Sequence, residues 1–129
     1  MAATQDAQAD ELNTPMDVSK TLCRLDDIDD GKALSVDVES ATGGFNLVLV
    51  RQGARVFGYH NECPHAGRRL DWSPGRFLID GGFLICAAHG AMFGIETGRC
   101  FSGPCVGARL APMPVQVIDG DVRLARAPY

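Results

Sequence analysis

Three glycine-bearing connections, each set between two apolar runs, constrain this chain more than any other feature. Residues 47–51 and 55–59 flank Gln52-Gly53-Ala54. Residues 77–79 and 83–85 flank Asp80-Gly81-Gly82, and residues 115–118 and 122–124 flank Asp119-Gly120-Asp121. Glycine supplies the positive φ angles that tight hairpins need, and Asp-Gly favours them most. Each connection therefore predicts an antiparallel strand pair. Leu34, Val36 and Val38 alternate with Ser35, Asp37 and Glu39, which predicts a further strand with one buried face. Residues 18–25 predict the first strand. The acidic run that follows, Asp26-Asp27-Ile28-Asp29-Asp30-Gly31, reads as a loop rather than a helical turn. No window of about 12 residues carries helical periodicity. The expected fold class is all-β, a small antiparallel domain of short strands.

Length and charge bound the rest. At 129 residues and 46% apolar content, the chain holds material for one globular domain. We expect a flexible tail over residues 1–17, which are small, polar and aperiodic, and a single domain over residues 18–129. The longest apolar stretches are a few residues, whereas a membrane helix needs roughly 20. The N-terminus lacks the basic and apolar segments of an export signal, so the expected compartment is the cytoplasm. The net charge is −4 and no dense Lys/Arg run occurs, which argues against nucleic acid as a partner. Mild acidity either suits a basic protein partner or simply keeps the chain soluble.

Two segments have the wrong composition for ordinary turns. They are Cys63-Pro64-His65-Ala66-Gly67 and Cys86-Ala87-Ala88-His89-Gly90. Each offers one thiol and one imidazole within a tight loop, and a glycine that lets the backbone pass close to a bound group. Three readings compete. The cysteines could be core residues and the histidines surface residues, although two matched pairs make that a poor explanation. The four could hold one structural zinc, although zinc sites usually group like ligands in Cys-Cys and His-His pairs. Or they could hold a [2Fe-2S] cluster, with two cysteines on one iron and two histidines on the other.

With these segments the sequence resembles the Rieske family, from about residue 18 to residue 125. Thr97-Gly98 and Gly103-Pro104 add to the likeness. The resemblance implies a cluster-binding subdomain of two loops. Cys63 and Cys86 would bind the buried iron, and His65 and His89 the outer one. It also implies an electron carrier, a ferredoxin taking electrons from a flavin-containing reductase and delivering them to a terminal oxygenase, without membrane or nucleic acid. Two other classes fit less well: the Rieske-like small subunit of a reductase such as assimilatory nitrite reductase, and a redox sensor.

Departures from the high-potential respiratory members refine this expectation. Those members join their two loops by a disulfide, where this chain has Arg68 and Ala88. They carry Ser and Tyr hydroxyls after the second histidine, where this chain has Ala91 and Phe93. Hydrogen bonds to cluster sulfur favour the reduced state, so their loss predicts a low potential, around −150 mV. His60 reads as a neighbour of the site, outside the ligand set. Cys100 and Cys105 flank the Gly103-Pro104 loop and read as free thiols, and Cys23 as core. Trp72 reads first as a packing residue. Arg68 and Arg69 read equally well as a docking pair or as solvated side chains.

Overall fold

The structure is a computed structural model that describes residues 20–40, 43–65 and 67–125. The expected tail over 1–17, and the first residues of the expected first strand, lie outside them. The strands are β1 (Thr21–Arg24), β2 (Ala33–Ser40), β3 (Gly43–Gln52), β4 (Arg55–His60), β5 (Leu78–Asp80), β6 (Phe83–Ile85), β7 (Met92–Gly94), β8 (Cys100–Ser102), β9 (Val115–Ile118) and β10 (Asp121–Leu124). They form three antiparallel sheets, ordered β1-β10-β9, β2-β3-β4 and β5-β6-β7-β8. The all-β antiparallel class is as expected.

All three glycine connections close hairpins. Val50 pairs with Phe57, Ile79 with Leu84, and Val117 with Val122. At the third turn Asp119 (φ 51°) and Gly120 (φ 82°) both adopt the left-handed region. That is the backbone a two-residue hairpin turn requires. The acidic run departs from its reading as a loop. Its start is a single 3-10 turn, Leu25–Asp27. Ile28 follows it, 1% exposed. The Arg51 guanidinium donates to the carbonyls of Leu25 and Ile28 at 3.3 and 2.9 Å and pins this segment over β3.

Strand β3 is the wall that the two halves of the molecule share. Leu47, Val48, Leu49 and Val50 are all fully buried. Successive side chains of a strand point to opposite faces, so a continuous buried run means that both faces are covered. Leu47 and Leu49 pack with Val38, Val56, Met113, Val122 and Leu124, the core of a base formed by β1–β4, β9 and β10. Val48 and Val50 face the other way, into a core with Leu70, Leu84, Phe93 and Leu110. That second core belongs to an insert, residues 61–113, between β4 and β9. The insert returns against β4, where Met113 N–H donates to the Gly58 carbonyl at 2.9 Å. A Cβ on Gly58 would sit 2.6 Å from the Met113 carbonyl oxygen, so only glycine permits this approach.

Candidate metal centre

The two Cys/His segments form the ends of the insert's loops, and they are built alike. In the first, Cys63 N–H donates to the Arg68 carbonyl at 2.6 Å and Gly67 N–H donates to the Cys63 carbonyl at 2.8 Å. In the second, Cys86 N–H donates to the Ala91 carbonyl at 2.8 Å and Gly90 N–H donates to the Cys86 carbonyl at 2.9 Å. The closing glycines are both left-handed, with φ 69° at Gly67 and 77° at Gly90. The shared device is Cys followed four residues later by Gly. It folds each loop back so that its cysteine points in while its histidine stays out.

The result is two layers of donors. Cys63 and Cys86 are buried, at 3% and 1% exposure. Both lie in one core with Leu70, Leu84 and Phe93. His65 and His89 are exposed. Their rings meet edge to face, with centroids 5.0 Å apart and an interplanar angle of 86°. Among the described residues, no three His, Cys, Asp or Glu side chains gather closely enough to hold a single metal ion. Two pairs in two layers fit a two-metal group better than one zinc. Burial is the largest influence on the Cys63 thiol and pushes it up; the backbone N–H of His65 opposes this, and Cys86 beside it adds to the rise. A thiolate is favoured there only with a cation to share its charge. This donor set fits an iron–sulfur cluster held by thiolates within and imidazoles at the surface.

A polar thread joins both loops to the base. Asn61 is the one buried polar residue among those described, 6% exposed. Its amide donates to the Asn46 side chain at 2.9 Å, and its oxygen accepts from Leu70 N–H at 2.8 Å. The Leu70 carbonyl in turn accepts from Ala87 N–H of the second loop at 3.0 Å. Sequence reasoning missed Asn61. Its only local signal is a polar residue two places before the first cysteine.

The other singled-out residues sort as follows. His60 stacks on Phe45, centroids 4.9 Å apart, and lies outside the donor layers. Cys23 is half-buried in the base core, and burial, with Asp27 nearby, pushes its thiol up to about 11. Trp72 is a correction: it is 58% exposed, with the Arg76 guanidinium 5.9 Å from its ring, and packs into no core. Arg69 is held by both oxygens of Asp71, at 3.0 and 2.8 Å, and is not free to dock a partner. Arg68 makes no side-chain ion pair among the described residues. Ala91 and Phe93 are buried. The Cys105 thiol donates to the Cys100 sulfur at 3.2 Å, and the two form no disulfide. The net acidity of the chain is not at this end. Residues 61–113 carry Arg68, Arg69, Arg76, Arg99 and Arg109 against Glu62, Asp71, Asp80 and Glu96, so a basic partner is not indicated here.

An antiparallel domain whose insert holds two thiols inward and two imidazoles outward has the donor arrangement that a small Cys/His metal-cluster protein would need. Residues 19–119 match the Rieske [2Fe-2S] domain, and the chain belongs to that family. It is 31% identical over 107 residues to the ferredoxin component of the alkene monooxygenase system of Xanthobacter autotrophicus (strain ATCC BAA-1158 / Py2), a match spanning 83% of this chain and 80% of that one. It is 28% identical over 100 residues to the ferredoxin subunit of 3-phenylpropionate/cinnamic acid dioxygenase of Escherichia coli (strain K12), spanning 78% and 86%. Among solved structures it resembles a chain in the complex of reduced oxygenase and oxidized ferredoxin in carbazole 1,9a-dioxygenase, with TM-score 0.66 and 25% identity over 82% of this chain and 91% of that one. The cofactor is a [2Fe-2S] cluster and the role is electron transfer rather than catalysis. No helix among the described residues is long and apolar enough to cross a membrane.

Proposed function

We propose that Cys63, Cys86, His65 and His89 hold the cluster, and that the protein passes single electrons from a flavin-containing reductase to a terminal oxygenase. The observation that carries this reading is the pair of exposed imidazoles, 5.0 Å apart, above a buried pair of thiols. When bound, the cluster takes up and releases one electron at a time. Cys63 and Cys86 would hold it from within a core that includes Leu70, Leu84 and Phe93, which keeps water from that side of the site. His65 and His89 bring its outer side to the surface, where a partner can approach closely enough for electron tunnelling. With four protein ligands in place, no position is open for a substrate, which suits a carrier. The names of the similar proteins, all components of oxygenase systems, support an oxygenase as acceptor.

The same reading takes residues 18–129 as one functional unit and the cytoplasm as its compartment. It also sets the potential near the low end of the family range, around −150 mV, because Ala91 and Phe93 have no hydroxyl to donate to sulfur. Reconstitution tests the function. The purified protein should be reduced by a flavin-containing reductase and reoxidised by a ring-hydroxylating oxygenase with matching product. A potential near +300 mV, the family's upper end, or failure to relay electrons to any oxygenase, would overturn it.

A further inference from the structure

The sheet β5-β6-β7-β8 has a second face. Ile79, Leu84, Phe93 and Cys100 turn inward, to the core that holds Cys63 and Cys86. The alternate positions turn outward, because successive side chains of a strand point to opposite faces. Leu78, Ile85, Met92 and Ser102 form one row across the four strands. Asp80, Phe83, Gly94 and Arg99 form the next. Asp80 pairs with Phe83, Phe83 pairs with Gly94, and Gly94 N–H donates to the Arg99 carbonyl at 2.9 Å. Phe101 lies over Gly94 so closely that a Cβ there would sit 2.9 Å from its ring, and it meets Phe83 edge to face at 5.7 Å. A sheet with one face on a core and the other in water carries polar residues outward. Here Leu78, Phe83, Ile85, Met92 and Phe101 face outward instead. Leu78 is 43% exposed and Phe101 55%. None of the five packs into a core among the described residues.

The second row ends in opposite charges at opposite edges of the sheet, Asp80 on β5 and Arg99 beside β8. Among the described residues neither has an ion-pair partner; the Arg99 guanidinium lies 5.9 Å from the Phe101 ring. We propose that a second copy of this chain docks on the face, each Asp80 meeting the other copy's Arg99. A two-fold axis lying in the face and parallel to the strands sets β5 over the other copy's β8, and β6 over its β7, row on row. Ile85 then meets the other copy's Met92, and Phe83 meets Phe101 over Gly94. Charged and apolar positions match themselves under this one rotation, as a closed pair requires. An axis across the strands would set Asp80 against Leu78 and bury a charge without a partner. A partner bearing charge of one sign would satisfy one edge of the row and be repelled by the other. Four strands of 3 residues present far less than the about 800 Å² per partner of a stable interface. The pair is therefore weak and forms at high protein concentration.

Sedimentation equilibrium of the full chain with its cluster, from micromolar to millimolar protein, tests this. The wild type should show a monomer–dimer equilibrium that salt weakens. Asp80→Arg and Arg99→Asp each set like charges together twice, and each should weaken the dimer about tenfold or more. Combined in one chain they restore opposite charges and should restore the dimer, a recovery that no other face or partner would give. Phe101→Ser, which removes apolar contact, should weaken it as well. Asp80 and Arg99 are exposed, so their variants should keep the wild-type cluster absorption. A monomer across the whole range, a dimer indifferent to the single reversals or to Phe101→Ser, or a double variant as weak as the single ones would overturn the proposal. A monomeric wild type whose reduction by a flavin-containing reductase is slowed by Asp80→Arg would overturn it too, and would give the face to a redox partner. Should Phe101→Ser not fold, the charge reversals decide alone.

Discussion

The base and the insert are built from the same antiparallel element but held together differently. In the base, β2 and β3 run for 8 and 10 residues and bury an apolar core between them and β9–β10. In the insert, β5, β6, β7 and β8 are 3 residues each. Strands so short add little ladder and little area. Order there comes from backbone bonds within the two Cys/His loops and from the Asn61 thread, to which a cluster at the proposed site would add. The base is a scaffold that folds by burial; the insert is a cofactor site that the scaffold positions.

Removing a ligand should separate the two most sharply. His65→Ala, His89→Ala, Cys63→Ala and Cys86→Ala should each abolish stable cluster assembly, since a metal site missing one ligand loses much of its binding energy. His60→Ala should leave absorption and iron content intact. In the ligand variants, hydrogen exchange should rise at the amides of Cys63, Gly67, Cys86 and Gly90 while β3 amides remain protected. Equal loss of protection in β3 would show that base and insert are one cooperative unit.

A cut in the base should act the other way. Leu49 is fully buried and touches the base core alone. Leu49→Ala should lower unfolding free energy by about 2–5 kcal/mol, read by denaturant titration, while the cluster spectrum is unchanged. Asn61→Ala lies on the seam. It leaves the buried Leu70 N–H without an acceptor, a cost of about 1–3 kcal/mol, and should speed cluster loss to a chelator.

Asp71 gives a smaller, pH-dependent effect within the insert. Burial of its carboxyl pushes upward, but the Arg69 guanidinium and Gly75 N–H outweigh it and hold the carboxyl below the usual range. A lowered folded value means a stabilising contribution that is present above the unfolded value, about 3.9, and is lost as pH falls through the folded one. Arg69→Ala should raise the pH at which the insert loosens in acid, followed by cluster absorbance. The smallest effect belongs to Trp72→Ala. With its ring exposed, stability should stay within about 0.5 kcal/mol of wild type.

The features legible in the sequence were those set by neighbours along the chain. Hairpin turns depend on the residues in the turn, so Gly53, Gly81 and Asp119-Gly120 declared themselves. Each candidate loop carries its thiol, imidazole and closing glycine within five residues, so the pairing of donors within each loop could be read as well. Strands β7 and β8 could not be read, because three residues show no period and their pairing spans a loop. The role of Asn61 depends on Asn46 arriving from β3. Trp72 misled because a large apolar ring resembles core until its surroundings are known. Ile28 was hidden by the acidic residues around it.

The ligand set itself is tested most directly by pulsed electron paramagnetic resonance on the reduced protein, with histidine isotopically labelled at the ring nitrogens. Four buried cysteines, Cys63, Cys86, Cys100 and Cys105, share one core, so an all-cysteine cluster is the alternative to exclude. Coupling of the unpaired electron to nitrogens of two histidines, retained in His60→Ala and so assigned to His65 and His89, the other two histidines of the chain, is the expected result. A [2Fe-2S] signal with no histidine nitrogen coupling would contradict the assignment.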